Sequence, residues 1–243
     1  GYADHPRYDE TQYAEMVARH FGTRHHAFRL TFRDVLDTVE PVLSHLGEPF
    51  ADSSLLPTAL VSRHTRQHVT VALSGDGGDE LFAGYWRYLG HHYLKRYRRV
   101  PRVLRTCVIE PLLKLVPQAR SNRLLDRLRQ ARKLVRGDLA DPIDTHLAWA
   151  RIIDQQQAAD LLGRDLAGGA TEFLASMYRD APKRLRPDAV ELASLDRILL
   201  ADLAIGLPAD MLCKVDTASM LHSLEVRVPM LSVDVVNFAA SLP

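Results

Sequence analysis

Ser74-Gly75-Asp76-Gly77-Gly78-Asp79-Glu80 sets three glycines and three acids within seven residues. Glycine lets a backbone N–H approach a ligand closely and takes positive φ without steric penalty. A helix starting just after such a loop turns its positive dipole end toward the same spot, and the two features together make a cradle for phosphate. Asp76, Asp79 and Glu80 would repel a bare polyphosphate. A bridging Mg²⁺ removes the conflict, taking carboxylate oxygens on one side and phosphate oxygens on the other. The plainer alternative is a solvated acidic turn that caps a helix. An EF-hand loop is not matched, because the alternating acids and the distal Glu are missing. A second polar cluster, Asp210, Lys214 and Asp216 followed by Glu225 and Arg227, stands in an otherwise apolar region. Asp210 and Lys214, four residues apart, suit a surface pair on a helix, and the density of charge also suits the wall of a site.

The elements that must position these groups can be read from pattern. Val69-Thr70-Val71-Ala72-Leu73 is an apolar, β-branched run that predicts a buried strand leading straight into the glycine loop. Leu81 to Tyr85 resumes with helical spacing. Upstream, Asp9 predicts the cap of a helix ending at Phe21 with Gly22 as its stop, with Tyr13, Met16, Val17 and Phe21 on one face. Arg24 to Leu30 reads as a short strand, in which the adjacent His25 and His26 point to opposite faces and so do not share a metal. Thr31 and Asp34 form a capping box for a helix from Phe32 to about Leu46, with Pro41 expected to kink it. Another helix is expected from Ser53 to about His68. Beyond Val100 strand signals stop, and helices are expected over 104–116, 124–135, 142–162, 169–178 and 189–203. The fold class is therefore α/β, a parallel-sheet nucleotide-binding layer in residues 1–100 followed by a mainly helical part in residues 101–243.

Composition bounds the remaining possibilities. With 243 residues, 47% apolar and 25% charged, the chain has the profile of a folded globular protein. Cys107 and Cys213 form neither a disulfide framework nor a metal motif, which fits a reducing cytoplasm. No apolar run is long enough for a membrane span, and no signal peptide opens the chain. The first residues, GYADHPRYDE, lack an initiator Met, so a processed form or a fragment is expected. The net charge of +1 hides a basic segment, residues 95–136, with fourteen Lys or Arg against Glu110 and Asp126. Such a segment could bind nucleic acid or an acidic partner, but stacking aromatics are sparse after Tyr97, so a solvated helical face is the preferred reading. Trp86 and Trp149 are read as core or interface residues.

SGDGGDELFAGY, the upstream EPFADSSLLPT (Glu48 to Thr58) and the downstream LPADMLCKVDTASMLHSLEVRVPML (Leu207 to Leu231) occur in that order. Together they resemble the synthetase domain of the glutamine-hydrolysing asparagine synthase family, over essentially the whole chain. The resemblance implies an adenine-nucleotide α-hydrolase-like fold and an ATP- and Mg²⁺-dependent ligase. Such an enzyme converts aspartate to a β-aspartyl-adenylate, which ammonia from a glutaminase domain opens to asparagine.

It also implies roles for residues. Ser74 and Gly75 match the nucleotide-binding pair. Asp76 matches an acid, often Glu in the family, that acts in forming or consuming the adenylate. Asp79, with Glu80 beside it, matches the acid that supports Mg²⁺-pyrophosphate, and Lys214 is the candidate catalytic cation as a substitute for the one missing at Thr217. Glu225 and Arg227 match a supporting element. Thr217 stands where members often have Lys or Arg, and Ser232 where they have an acid. The SGGxDS pyrophosphate loop and the glutaminase domain lie outside this sequence, so the segment alone is expected to be inactive. A homodimer is a further expectation. Carboxylate-adenylating cyclases of the β-lactam synthetase or lasso-peptide type, and a non-catalytic module that binds an acidic partner through residues 95–136, stand as alternatives.

Overall fold

The computed structural model describes residues 9, 11–114, 123–153, 155–185 and 192–242. In chain order, the first elements are helices α1 (Thr11–Phe21), α2 (Phe32–His45) and α3 (Leu55–Arg66), strand β1 (Val71–Leu73), the single turn α4 (Gly78–Leu81) and α5 (Trp86–Tyr97). Then come α6 (Arg102–Leu104), a π-helical stretch (Arg105–Ile109), α7 (Glu110–Lys114), α8 (Arg123–Arg136), α9 (Pro142–Ala150), α10 (Gln155–Leu162), α11 (Arg164–Leu185) and α12 (Ser194–Ala201). A second π-helical run (Asp202–Leu212), α13 (Cys213–Met220), β2 (Glu225–Arg227), a 3-10 turn (Pro229–Leu231) and α14 (Val233–Ala240) complete the order. The architecture is mostly helical α/β with a small parallel sheet. No helix among the described residues is long and apolar enough to cross a membrane.

The chain divides into two compact units, residues 1–75 with 210–229, and residues 76–209 with 230–243. The sequence-based division near Val100 is a different partition, drawn where strand signals stop.

In the first unit β1 and β2 pair in parallel, with Val71, Ala72 and Leu73 opposite Glu225, Val226 and Arg227. The core forms where α3 packs on α2 and α13, around Val42, Leu55, Ala59 and Ala218. Leu55, Ala59 and Ser62 are buried at helical spacing along α3, which explains why that face meets its neighbours. Local signals set the helix ends. The Asp9 carboxylate accepts from the Thr11 amide at 3.1 Å. Gly22 ends α1 at φ +63°, with the Thr23 amide donating back to Ala18. The expected capping box of α2 is formed by Thr31 and Asp34.

Two expectations here are corrected. Arg24 to Leu30 is no strand; only Leu30 makes an isolated bridge. The segment instead lies along α3 and the turn after it through ring stacks, His26 on His68 at 4.2 Å and Phe28 on His64 at 4.4 Å. Conversely, Glu225–Arg227 is a strand beyond Val100, where none was expected.

The core of the second unit gathers Tyr88, Ile143, Leu147, Ala175, Tyr178, Ile198 and Ala201. Trp149 is buried, its indole N–H donating to the Lys133 carbonyl at 3.1 Å, so it is a core residue as read from the sequence. The helix expected over 142–162 is two helices, because Arg151 leaves helical geometry at ψ 134°. The helix expected over 169–178 extends from Arg164 through Leu185, with Gly168, Gly169 and Pro182 inside it. Residues 115–116 and 189–191, expected to be helical, lie outside the described residues. Pro208 lies inside the π-helical run Asp202–Leu212.

Candidate functional site

The sequence-predicted residues fall in both units. Ser74, Gly75 and Lys214 belong to the first, and Asp76, Asp79 and Glu80 to the second.

In the first unit the Ser74 amide donates to the Arg227 carbonyl at 2.9 Å, extending the parallel pairing to the mouth of the glycine loop. Gly75 follows, and no atom lies within 4 Å of the position a Cβ would take. Its glycine is therefore not demanded by a neighbour in the protein. Glu225 and Arg227, two apart on one face of β2, pair with each other at 2.8 Å while both stay exposed.

Lys214 is buried in the first turn of α13, 8% exposed. Its ammonium reaches the Met211 thioether at 3.2 Å and Asp52 Oδ2 at 3.3 Å. Asp52 was not singled out from sequence, although its ADSS context carries a local signal, an acid two residues before a serine at a helix start. Its carboxylate accepts from the Ser54 amide at 2.8 Å and the Ser54 hydroxyl at 2.6 Å. Burial would push the Asp52 carboxyl up; the two Ser54 bonds and the Lys214 charge outweigh it and hold the carboxyl below its usual range.

In the second unit Gly77 adopts φ +85° and caps α4. A Cβ there would lie 2.4 Å from the Leu231 side chain, so both backbone and space call for glycine. The loop is followed by one turn of helix rather than the continuous helical run expected through Tyr85. Ala83 takes φ +54° and the chain turns before α5. Gly84 makes this turn possible, because a Cβ would fall 2.0 Å from Asp79 Oδ1.

The neighbouring acids differ. Asp79 is exposed, whereas Glu80 is 3% exposed and accepts from the Tyr85 hydroxyl at 2.7 Å. Burial, reinforced by that bond, raises the Tyr85 pKa. The Arg87 guanidinium lies over the Tyr85 ring at 4.3 Å and reaches Asp202 Oδ2 at 3.4 Å. Asp202, nearly fully buried, also accepts from the Tyr88 hydroxyl at 2.5 Å and meets His146 Nε2 at 3.1 Å. Burial works to raise the Asp202 carboxyl, but His146, Tyr88 and Arg87 together lower it. Glu80 is thus the loop end of a chain of contacts running through Tyr85 and Arg87 to a buried carboxylate. None of these partners was identified from sequence, since the links span up to 115 residues.

Among the described residues no group of three or more His, Cys, Asp and Glu could hold a metal ion. The exposed Asp79 has the hard oxygen donors that Mg²⁺ takes.

A mostly helical α/β protein in which a parallel strand opens into a glycine- and acid-rich loop is the class that these features define. The asparagine synthase family model matches residues 1–243, and the chain belongs to that family. It is 26% identical over 238 residues to glutamine-hydrolysing asparagine synthetase 1 of Bacillus subtilis strain 168, covering 97% of this chain and 35% of that protein. A putative glutamine-hydrolysing asparagine synthetase of Mycobacterium tuberculosis strain H37Rv is 29% identical over 249 residues, with coverage of 97% and 34%. A putative asparagine synthetase 2 of Methanocaldococcus jannaschii is 41% identical over 99 residues, covering 41% of this chain and 19% of that protein. The chain therefore spans about a third of the length of the relatives that it matches from end to end. Proteins so named are ligases. No solved structure matches it with significance.

Proposed function

We propose that this chain is part of an ATP-dependent, amide-forming synthetase that converts aspartate to asparagine with ammonia released from glutamine. The observation that carries the reading is the loop at the end of β1: an unobstructed Gly75, a left-handed Gly77 and an exposed Asp79 in a chain that belongs to the asparagine synthase family.

In this reading the backbone at Ser74 and Gly75 holds the nucleotide, because a glycine with open space beside it admits close approach of a ligand. A side-chain carboxylate oxygen of aspartate attacks the α-phosphorus of ATP, forming a carbon–O–phosphorus link as pyrophosphate leaves. Ammonia then adds at the acyl carbon, AMP departs, and the surplus proton passes to a base, the role assigned to Asp76. Lys214 supplies positive charge to the phosphate during both steps. Asp79 would hold Mg²⁺, which when bound neutralises the leaving pyrophosphate. Glu80, with a carboxylate oxygen already engaged by Tyr85, supports the loop from within the protein.

The test is exchange of labelled pyrophosphate into ATP by the full-length protein that carries this segment. Exchange that requires aspartate and falls at least tenfold in Lys214→Ala supports the reading, whereas Asp76→Asn should keep exchange and lose ammonia-dependent asparagine formation. Exchange driven by another carboxylate and not by aspartate would move the substrate to a cyclase-type acid. No exchange with any carboxylate would remove adenylation itself.

A further inference from the structure

Lys214 is the only lysine or arginine of α13, and its surroundings raise a question of charge. Its side chain is 10% exposed. An ammonium taken out of water loses hydration that a protein must replace, or the group gives up its proton. Three N–H donors need acceptors. The Met211 thioether is a weak one, so the substantive acceptor is the Asp52 carboxylate.

Asp52 is itself immobilised. Ser54 donates twice to it, through its amide and its hydroxyl, and the Asp52 carbonyl accepts from the Leu55 amide as α3 begins. The carboxylate thus sits on a turn welded to α3. That helix packs on α13 through Leu55, Ala59 and Ala218, all nearly or fully buried. Distance and direction between carboxylate and ammonium are therefore fixed by the packing of two helices, not by two long side chains finding each other at a surface. Exposed ion pairs lose most of their worth to solvent and side-chain entropy, and this pair escapes much of both losses.

We infer that Asp52 is the positioning residue for Lys214: it holds the buried ammonium aimed, so that one donor direction stays available to an anionic group. The inference rests on the proposed role of Lys214 toward phosphate. Asp52 touches no substrate in this account; it acts through the lysine. Ser54 in turn acts through Asp52.

The experiment compares the wild-type protein with Asp52→Asn, Asp52→Glu and Ser54→Ala by two readouts. The first is pulse acylation with a dilute anhydride, read by mass spectrometry as Lys214 relative to the exposed Lys95. The second is kcat and KM of aspartate-dependent pyrophosphate exchange. Asp52→Asn removes the charged partner that holds the Lys214 side chain in place, so acylation of Lys214 should speed about tenfold or more. It should also cut kcat at least tenfold with the KM for aspartate changed less than about twofold, the pattern of a contact that matters in the transition state. Asp52→Glu restores the charge and should recover most of both values. Ser54→Ala, which leaves the charge but loosens it, should fall between. Unchanged acylation of Lys214 in Asp52→Asn overturns the inference, as does an Asp52→Glu variant as impaired as Asp52→Asn. If the wild-type protein shows no exchange, the adenylation reading falls, and the acylation rates still decide whether Asp52 governs Lys214.

Discussion

Asp79 and Glu80 are adjacent acids whose surroundings separate them. Asp79 faces solvent from the first turn of α4, while Glu80 is buried against Tyr85. Replacing Asp79 with Ala should therefore weaken Mg²⁺-ATP binding at least tenfold with little change in thermal midpoint, measured by calorimetry of binding and of unfolding. Glu80→Ala should do the reverse in kind, lowering stability by about 1–3 kcal/mol in urea titration, because the Tyr85 hydroxyl loses its acceptor. Gly77→Ala should cost about 1–2 kcal/mol from the left-handed backbone alone, before any shift of Leu231. The loop was legible as a candidate site because glycine and acid density has a direct chemical meaning. Which of two neighbouring acids faces water was not, since that depends on a tyrosine five residues on and an arginine seven residues on from Glu80.

Among the elements, local chemistry was the legible part. The Thr31–Asp34 box and the Asp9 end of α1 are short-range devices in which a side chain meets nearby backbone, and at the other end of α1 Gly22 turns the chain through a left-handed backbone. Thr31→Ala should lower stability of the first unit by about 1 kcal/mol, measured by urea denaturation. Strand assignment failed in both directions for one reason. A strand exists only if it finds a partner: Arg24 to Leu30 lies beside histidine rings instead, whereas the brief Glu225–Arg227 finds β1 some 150 residues away. The break at Arg151 carries no glycine or proline signal, and the sequence offers no local cause for it.

At the scale of the molecule, the first unit is completed by residues 210–229, a return of the chain that no local pattern announces. The resemblance in three ordered blocks was legible across this distance because it depends on motif order rather than on contacts. The second unit is held in part by the buried Asp202 cluster. Asp202→Ala should cost about 3–5 kcal/mol, because it leaves Arg87, His146 and the Tyr88 hydroxyl without their acceptor.

The same unit carries a pH dependence. Burial first, then the charges of His146, Arg98 and Lys95, push His91 down to about 4. The unfolded chain binds this proton near pH 6.5 and the folded one does not, so stability should fall as pH drops from about 6.5 to about 4. His91→Phe should flatten that slope in urea titrations between pH 7 and 4.

The claim on which the functional account turns is that a substrate carboxylate becomes joined to AMP. Aspartate labelled with ¹⁸O in its side-chain carboxylate, incubated with the full-length protein, Mg²⁺-ATP and ammonia, tests it directly by mass spectrometry of the nucleotide products. The account predicts one labelled oxygen in AMP, with unlabelled pyrophosphate. Label appearing in inorganic phosphate alongside ADP would mean an acyl phosphate formed at the γ-position, and would contradict it.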